Sequence, residues 1–194
     1  LVELEGPTGT QLGYRYDDSG RIVGTSSGGV ELITSQLDPT GEVISTTDIN
    51  GGVTTFVRDD LNRPIQRQLP DGRIINTAYD ANGNVASITE VGGDAIAYQY
   101  DEMNRLSGVE TGGTNTNYQY DNVGRLVQTT DGLGRETRFG YSLGTTNQLV
   151  VTLPLGQQIT VSFDAMGNLT RRTYPNGDFI QYDYDNMNRR VPKT

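Results

Sequence analysis

The side chains here that could do chemistry are Asp, Arg and Tyr, and they come in a fixed order. Tyr16-Asp17-Asp18-Ser19-Gly20-Arg21 recurs as Tyr100-Asp101-Glu102-Met103-Asn104-Arg105, as Tyr120-Asp121-Asn122-Val123-Gly124-Arg125 and as Tyr184-Asp185-Asn186-Met187-Asn188-Arg189. A carboxylate four residues before a guanidinium could form a ligand-binding row along one rim. The plainer reading is that each pair braces its own turn, contributing about 0–1 kcal/mol when exposed. Paired carboxylates such as Asp17-Asp18 and Asp59-Asp60 are the residue types of acid–base hydrolysis. A single catalytic centre, however, has no reason to recur in turn after turn. Asp183, Asp185 and Asn188 offer oxygens to a hard cation, but without the spacing of an EF-hand. Asn168-Leu169-Thr170 matches a glycosylation sequon. No catalytic residue, metal site or cofactor site is assigned, and the chain is expected not to be an enzyme.

Composition narrows the chemistry further. The 194 residues include 15 basic and 24 acidic side chains, a formal net charge of −9. That balance argues against nucleic acid and anionic membranes as partners. There is neither His nor Cys, which removes Ser-His-Asp and Cys-His catalysis, disulfides and the usual zinc, haem and iron–sulfur sites. Of the basic residues 14 are Arg and only Lys193 is Lys, so a Lys–Asn isopeptide crosslink within the repeats is excluded. No apolar run approaches the roughly 20 residues that span a bilayer.

The elements that position these side chains follow from the repeat. Weaker copies of the motif begin at Leu37, Arg58, Tyr79 (with Asp80), Tyr141 and Phe163 (with Asp164), so nine units start at 16, 37, 58, 79, 100, 120, 141, 163 and 184. About half a period away stands a second mark, fullest in Pro70-Asp71-Gly72, Pro154-Leu155-Gly156 and Pro175-Asn176-Gly177. Gly28-Gly29, Gly51-Gly52, Gly92-Gly93, Gly112-Gly113 and Gly132-Leu133-Gly134 hold the same place in other units. Each unit therefore has two turns and two short segments. Gly20 and Gly124, at the fifth motif position, suit positive φ, and the motif Asp bonds nearby backbone.

Those segments alternate with period two, as half-buried strands do. One face carries Leu12, Tyr14 and Tyr16, then Ile96, Tyr98 and Tyr100, then Tyr118 and Tyr120, then Ile159, Val161 and Phe163, then Ile180, Tyr182 and Tyr184. Gln99, Gln119, Gln181 and Asp183 fall on the other. With 25 Gly and 24 Thr, the composition is that of strands and turns. The expected fold is all-β, one array of 21-residue repeats over 1–194 forming a continuous antiparallel meander. A parallel solenoid would stack the motif carboxylates about 4.8 Å apart, whereas the meander separates them by two strands. About 18 strands would make a sheet roughly 85 Å wide, which twist must curl into a trough, spiral or shell. With unpaired edges expected at both ends, the array reads as an excerpt of a longer chain.

Tyr-Asp-x-x-Gly-Arg-Leu at this spacing, alternating with Pro-x-Gly turns, resembles the YD repeats of the Rhs family. That family embraces bacterial rearrangement-hotspot proteins, wall-associated polymorphic toxins, insecticidal toxin-complex components and animal teneurins. The resemblance implies a β-shell, a secreted or cell-surface location and a protein cargo, in bacterial members a C-terminal toxin domain. It also implies, more loosely, glycan binding, for which Tyr98, Tyr118 and Tyr182 are the expected surface. Neighbouring copies joined through β-edges are a further expected partner. The departures are Leu37 and Arg58 in place of the aromatic, Asn84 and Asn168 in place of Arg, and the degenerate Tyr141-Ser142-Leu143-Gly144. Nothing resembles the family's C-terminal core with its Asp-dependent self-cleavage site, so no catalytic residue is carried over.

Overall fold

A computed structural model describes residues 2–5, 11–142 and 147–191, the first four by backbone alone. Lys193 and Leu143-Gly144 lie outside these residues. Every element among them is a strand, each paired antiparallel to its sequence neighbour. By internal contacts the chain divides into two compact units, 1–97 and 98–194.

The first unit contains β1 (Val2–Glu5), β2 (Gln11–Tyr16), β3 (Ile22–Ser27), β4 (Val30–Leu37), β5 (Val43–Asp48), β6 (Val53–Arg58), β7 (Pro64–Gln68), β8 (Ile74–Tyr79) and β9 (Val85–Glu90). The start of β10 (Ala95–Tyr100) pairs with β9. Its register makes continuous cross-strand rows: Tyr14, Thr25 and Ile33 share one face, as do Phe56, Arg67 and Ile75.

In the second unit a meander runs through β11 (Leu106–Thr111), β12 (Thr114–Tyr120), β13 (Leu126–Thr130), β14 (Glu136–Ser142), β15 (Asn147–Thr152), β16 (Gln158–Phe163), β17 (Leu169–Thr173) and β18 (Phe179–Gln181). A short separate ladder joins β19 (Asp183–Tyr184) to β20 (Arg190–Val191). Tyr141, Leu149, Val161, Arg172 and Ile180 form one row on the tyrosine face. Gly140, Val150, Thr160, Thr173 and Phe179 form a row on the other.

Two kinds of turn connect the strands. In the YD turn, Gly20 N–H donates to Asp17 O and Asp17 N–H to Arg21 O, at 3.0 and 2.9 Å. This is a three-residue hairpin loop, a type I turn closed by a bulge that needs positive φ at its last residue. Gly124 fills that place with φ 86°, and Asn104 does so with φ 58°. The Pro-x-Gly turn has the same pattern: Gly72 N–H donates to Leu69 O and Leu69 N–H to Arg73 O. Gly28-Gly29 and Gly112-Gly113 differ. Their flanking residues pair directly, Ser27 with Val30 and Thr111 with Thr114, so these are two-residue loops with both glycines at positive φ.

Each unit is one layer thick. The only buried apolar side chain among the described residues is Val161, at 9% exposure. Stability therefore rests on the backbone ladder, cross-strand pairs and the rim contacts rather than on a core between layers.

Candidate functional site: the YD rim and the tyrosine face

The motif Asp is held by its own turn. Asp121 Oδ1 accepts from the backbone N–H groups of Val123 and Arg125 at 3.0 and 2.9 Å, while Oδ2 receives Arg125 Nε at 2.7 Å. Asp17, Asp59, Asp101 and Asp185 repeat this arrangement with Arg21, Arg63, Arg105 and Arg189. The hydrogen bond from Arg21 N–H, helped by the Arg21 guanidinium, holds the Asp17 carboxyl below the ordinary carboxylate range. At Asp59 the Arg63 guanidinium is the main cause of the same shift. Partial burial pushes Asp121 upward, and the Arg125 backbone and side chain outweigh it.

Departures from the motif are compensated locally. Asn84 and Asn168 replace Arg yet donate through Nδ2 to Asp80 Oδ2 and Asp164 Oδ2, at 3.0 and 2.8 Å. In the second repeat Glu42 stands in the Arg position, and Asp38 is held by the Thr40 hydroxyl at 2.7 Å instead. Asp131-Gly132-Leu133-Gly134-Arg135, on the Pro-x-Gly rim, carries the full brace, with Arg135 Nε 2.7 Å from Asp131 Oδ2. The sequence grouped that segment with the glycine turns, although Asp131 and Arg135 sit four apart like the motif pair.

The rim also ties neighbouring repeats together within each unit. The guanidinium of Arg63 lies over the ring of Tyr79 at 4.4 Å, and Arg105 and Arg125 lie over Tyr120 and Tyr141 at 4.6 Å. In the opposite direction, the hydroxyls of Tyr79, Tyr120, Tyr141 and Tyr184 donate to the carbonyls of Pro64, Leu106, Leu126 and Leu169, at 2.9–3.0 Å. Arg105 Nη1 further donates to Asp121 O at 3.3 Å. Arg58, in the aromatic position, reaches the equivalent carbonyl, Val43 O, through Nη2 at 3.4 Å. Its Nε is buried without a partner.

The expected site residues thus fall into two groups. Tyr16, Tyr79, Tyr120, Phe163 and Tyr184 close strands at the rim, as does Tyr100, and their Asp and Arg partners are committed to turns. Tyr98, Tyr118 and Tyr182 lie half-buried two residues inward of Tyr100, Tyr120 and Tyr184 on the same face. Arg190 stands 5.0 Å over the Tyr182 ring. Of the three residues weighed for a cation, Asp185 is engaged by Arg189 and Asn188 Oδ1 accepts from Asn168 at 2.6 Å. A hollow of about 670 Å³ lies between Pro-x-Gly turns beside Leu153, Pro154 and Leu155. Its charged residues, Arg135 and Glu136, pair with Asp131 and Arg138. No reactive constellation occurs among the described residues.

The family model described as teneurin YD-shell matches residues 65–192, and that described as RHS repeat matches 38–74. No curated protein matches the chain. Among solved structures, the chain is similar to one of TcdB2-TccC3-TEV, with 19% identity over 96% of this chain and a TM-score of 0.68. The Photorhabdus luminescens Tc holotoxin pore gives 17% identity, 97% coverage and a TM-score of 0.65. TcdB2-TccC3 gives 15%, 94% and 0.64. The chain spans 12–13% of the length of these structures. The fold and the repeat agree with the sequence match: the chain belongs to the YD-shell family of Rhs-type repeat sheets.

Proposed function

We propose that this chain is a stretch of wall in a β-shell, part of a larger exported Rhs-type protein that encloses a polypeptide cargo such as a toxin domain. The observation carrying this reading is the single-layer sheet of each unit, whose tyrosine face sets half-buried tyrosines beside exposed apolar side chains such as Leu12, Ile33 and Ile180. A wall of this kind works by geometry: its polar groups are consumed in turns and rungs, and none is left arranged for reaction. The test is made on the protein purified from its source. Its intact mass should lie far above 21.2 kDa, and limited proteolysis should leave an internal segment protected until the sheet is denatured. An intact mass near 21.2 kDa sinks the proposal.

A second reading is an extracellular adhesive surface recognising glycan through Tyr98, Tyr118 and Tyr182. It is favoured by the Tyr98 and Tyr118 hydroxyls, for which no hydrogen bond occurs among the described residues, since Tyr offers an apolar face with a polar tip. It requires that Tyr98→Ala and Tyr118→Ala abolish sugar binding while the circular dichroism of the sheet is unchanged.

A further inference from the structure

The chain has 14 arginines, and 12 of them are engaged. Seven pair with Asp or Glu of their own turn or strand: Arg21, Arg63, Arg73, Arg105, Arg125, Arg135 and Arg189. Arg15 and Arg138 pair with Glu31 and Glu136. Arg58 donates to backbone carbonyls, and Arg171 and Arg190 lie over Phe179 and Tyr182. The remaining two, Arg67 and Arg172, are exposed and have no hydrogen bond or ion pair among the described residues.

These two arginines are equivalent. Each stands nine residues after the start of its motif, at 58 and 163, in a position filled elsewhere by Thr25, Thr46, Ile88, Val109 and Thr129. Each is set on the tyrosine face directly between apolar neighbours. Arg67 lies between Phe56 and Ile75, beside a hollow of about 330 Å³ that also meets Pro64 and Ile88. Arg172 lies between Val161 and Ile180. The acid nearest in the Arg67 row is Glu90, two strands away, and it pairs with Arg73 at 3.6 Å.

A guanidinium placed among apolar side chains is tolerable while water reaches it. Covering the face removes that water, and a buried unpaired charge is strongly unfavourable. Whatever covers the tyrosine face of either unit must therefore bring an anion to the arginine there. A carboxylate matches the planar fork of a guanidinium with two parallel hydrogen bonds, and it does so best where water is excluded. Nucleic acid is a poor candidate, because a polyanion is repelled by a chain of net charge −9. A largely apolar peptide with isolated carboxylates meets no such barrier.

We infer that Arg67, in the first unit, and Arg172, in the second, are each a carboxylate-binding point for extended polypeptide, apolar with interspersed Asp or Glu, lying on the tyrosine face of that unit. The inference rests on the encapsulation reading, since the enclosed cargo is the polypeptide concerned. It can fail without that reading failing, because it concerns the chemistry of the contact and not the intact mass.

The probe is a fluorescein-labelled peptide, Ser-Tyr-Val-Glu-Val-Tyr-Ser, compared with its twin carrying Lys in place of Glu, titrated against the chain by fluorescence anisotropy. The Glu peptide should bind roughly tenfold or more tightly than the Lys twin, the scale of a charge-assisted hydrogen bond. In Arg67→Glu/Arg172→Glu the preference should reverse. In Arg67→Leu/Arg172→Leu, which preserves packing should the charge reversal fail to fold, the two peptides should bind alike. Binding of neither peptide to the unaltered chain, equal binding of both, or a preference that survives the substitutions overturns the inference. Self-association on sedimentation that is lost in the Leu variant overturns it too, by assigning the face to a second copy.

Discussion

Replacing Tyr120 by Phe removes one hydroxyl from the rim and leaves the ring in place. The hydroxyl donates to Leu106 O at 2.9 Å from a half-buried position, so its loss should cost about 0.5–1.5 kcal/mol. The ring keeps its contact with the Arg105 guanidinium at 4.6 Å. Tyr120 belongs to a compact unit of 98–194, a size at which 1 kcal/mol moves the midpoint by roughly 4–8 °C. Tyr118, two residues earlier in β12 and on the same face, is the internal control. No hydrogen bond to its hydroxyl occurs among the described residues, and Tyr118→Phe should stay within about 0.5 kcal/mol of the parent. Thermal unfolding followed by far-UV circular dichroism, with urea titration alongside, reads both variants. An Arg105→Leu/Tyr120→Leu double-mutant cycle adds the guanidinium–ring coupling, expected at about 0.5–1 kcal/mol. If Tyr120→Phe and Tyr118→Phe are indistinguishable, the hydroxyl rungs do not couple the repeats.

Acid should release the rim late. Asp17, Asp59, Asp121 and Asp185 are held below the ordinary carboxylate range. Their contribution is complete above the unfolded value of about 3.9 and disappears as pH falls through the lower folded values. The melting temperature should therefore be level from pH 7 to 5 and drop below about 4, and Asp121→Asn should lower it at pH 7; a decline between pH 7 and 5 contradicts the assignment. Arg58→Tyr should raise the melting temperature, because it removes a buried unpartnered Nε and restores a hydroxyl facing Val43 O, whereas Arg58→Leu should lower it. Gly124→Ala, at φ 86°, should cost about 1–2 kcal/mol by denaturant titration. Gly140→Ala, where an added Cβ meets only Val150 O at 3.8 Å, should be neutral or stabilising by about 0.5–1 kcal/mol.

The meander was legible because two marks, Tyr-Asp-x-x-Gly-Arg and Pro-x-Gly, punctuate the chain at half a period, and because Tyr98-Gln99-Tyr100 and Ile159 to Phe163 alternate cleanly. The Asp–Arg brace was legible for a similar reason: it closes within five residues, and spacing alone brings its partners together. The rungs were not. Arg105 meets Tyr120 fifteen positions later, across a strand pair, and no local pattern of residue types brings the two together. The same register lets Arg58 substitute for a tyrosine, a replacement that reads in sequence as simple decay. Arg67 was hidden as one Arg among 14, and Arg172 reads with Arg171 as a basic doublet on a solvated face; only the pairing of the other 12 makes these two stand out.

The wiring of the rim also bears on how such a chain reaches its fold. A YD turn is closed by bonds that Gly20 and Arg21 donate to Asp17, and the rungs described above span fourteen to sixteen positions. Almost nothing in the array must wait for a distant part of the chain. Local contacts of this kind favour rapid folding that can begin at one place and propagate to its neighbours. The first hairpins can be complete before later repeats have emerged during synthesis, and an array drawn out into an extended strand can recover its sheet beginning from either end.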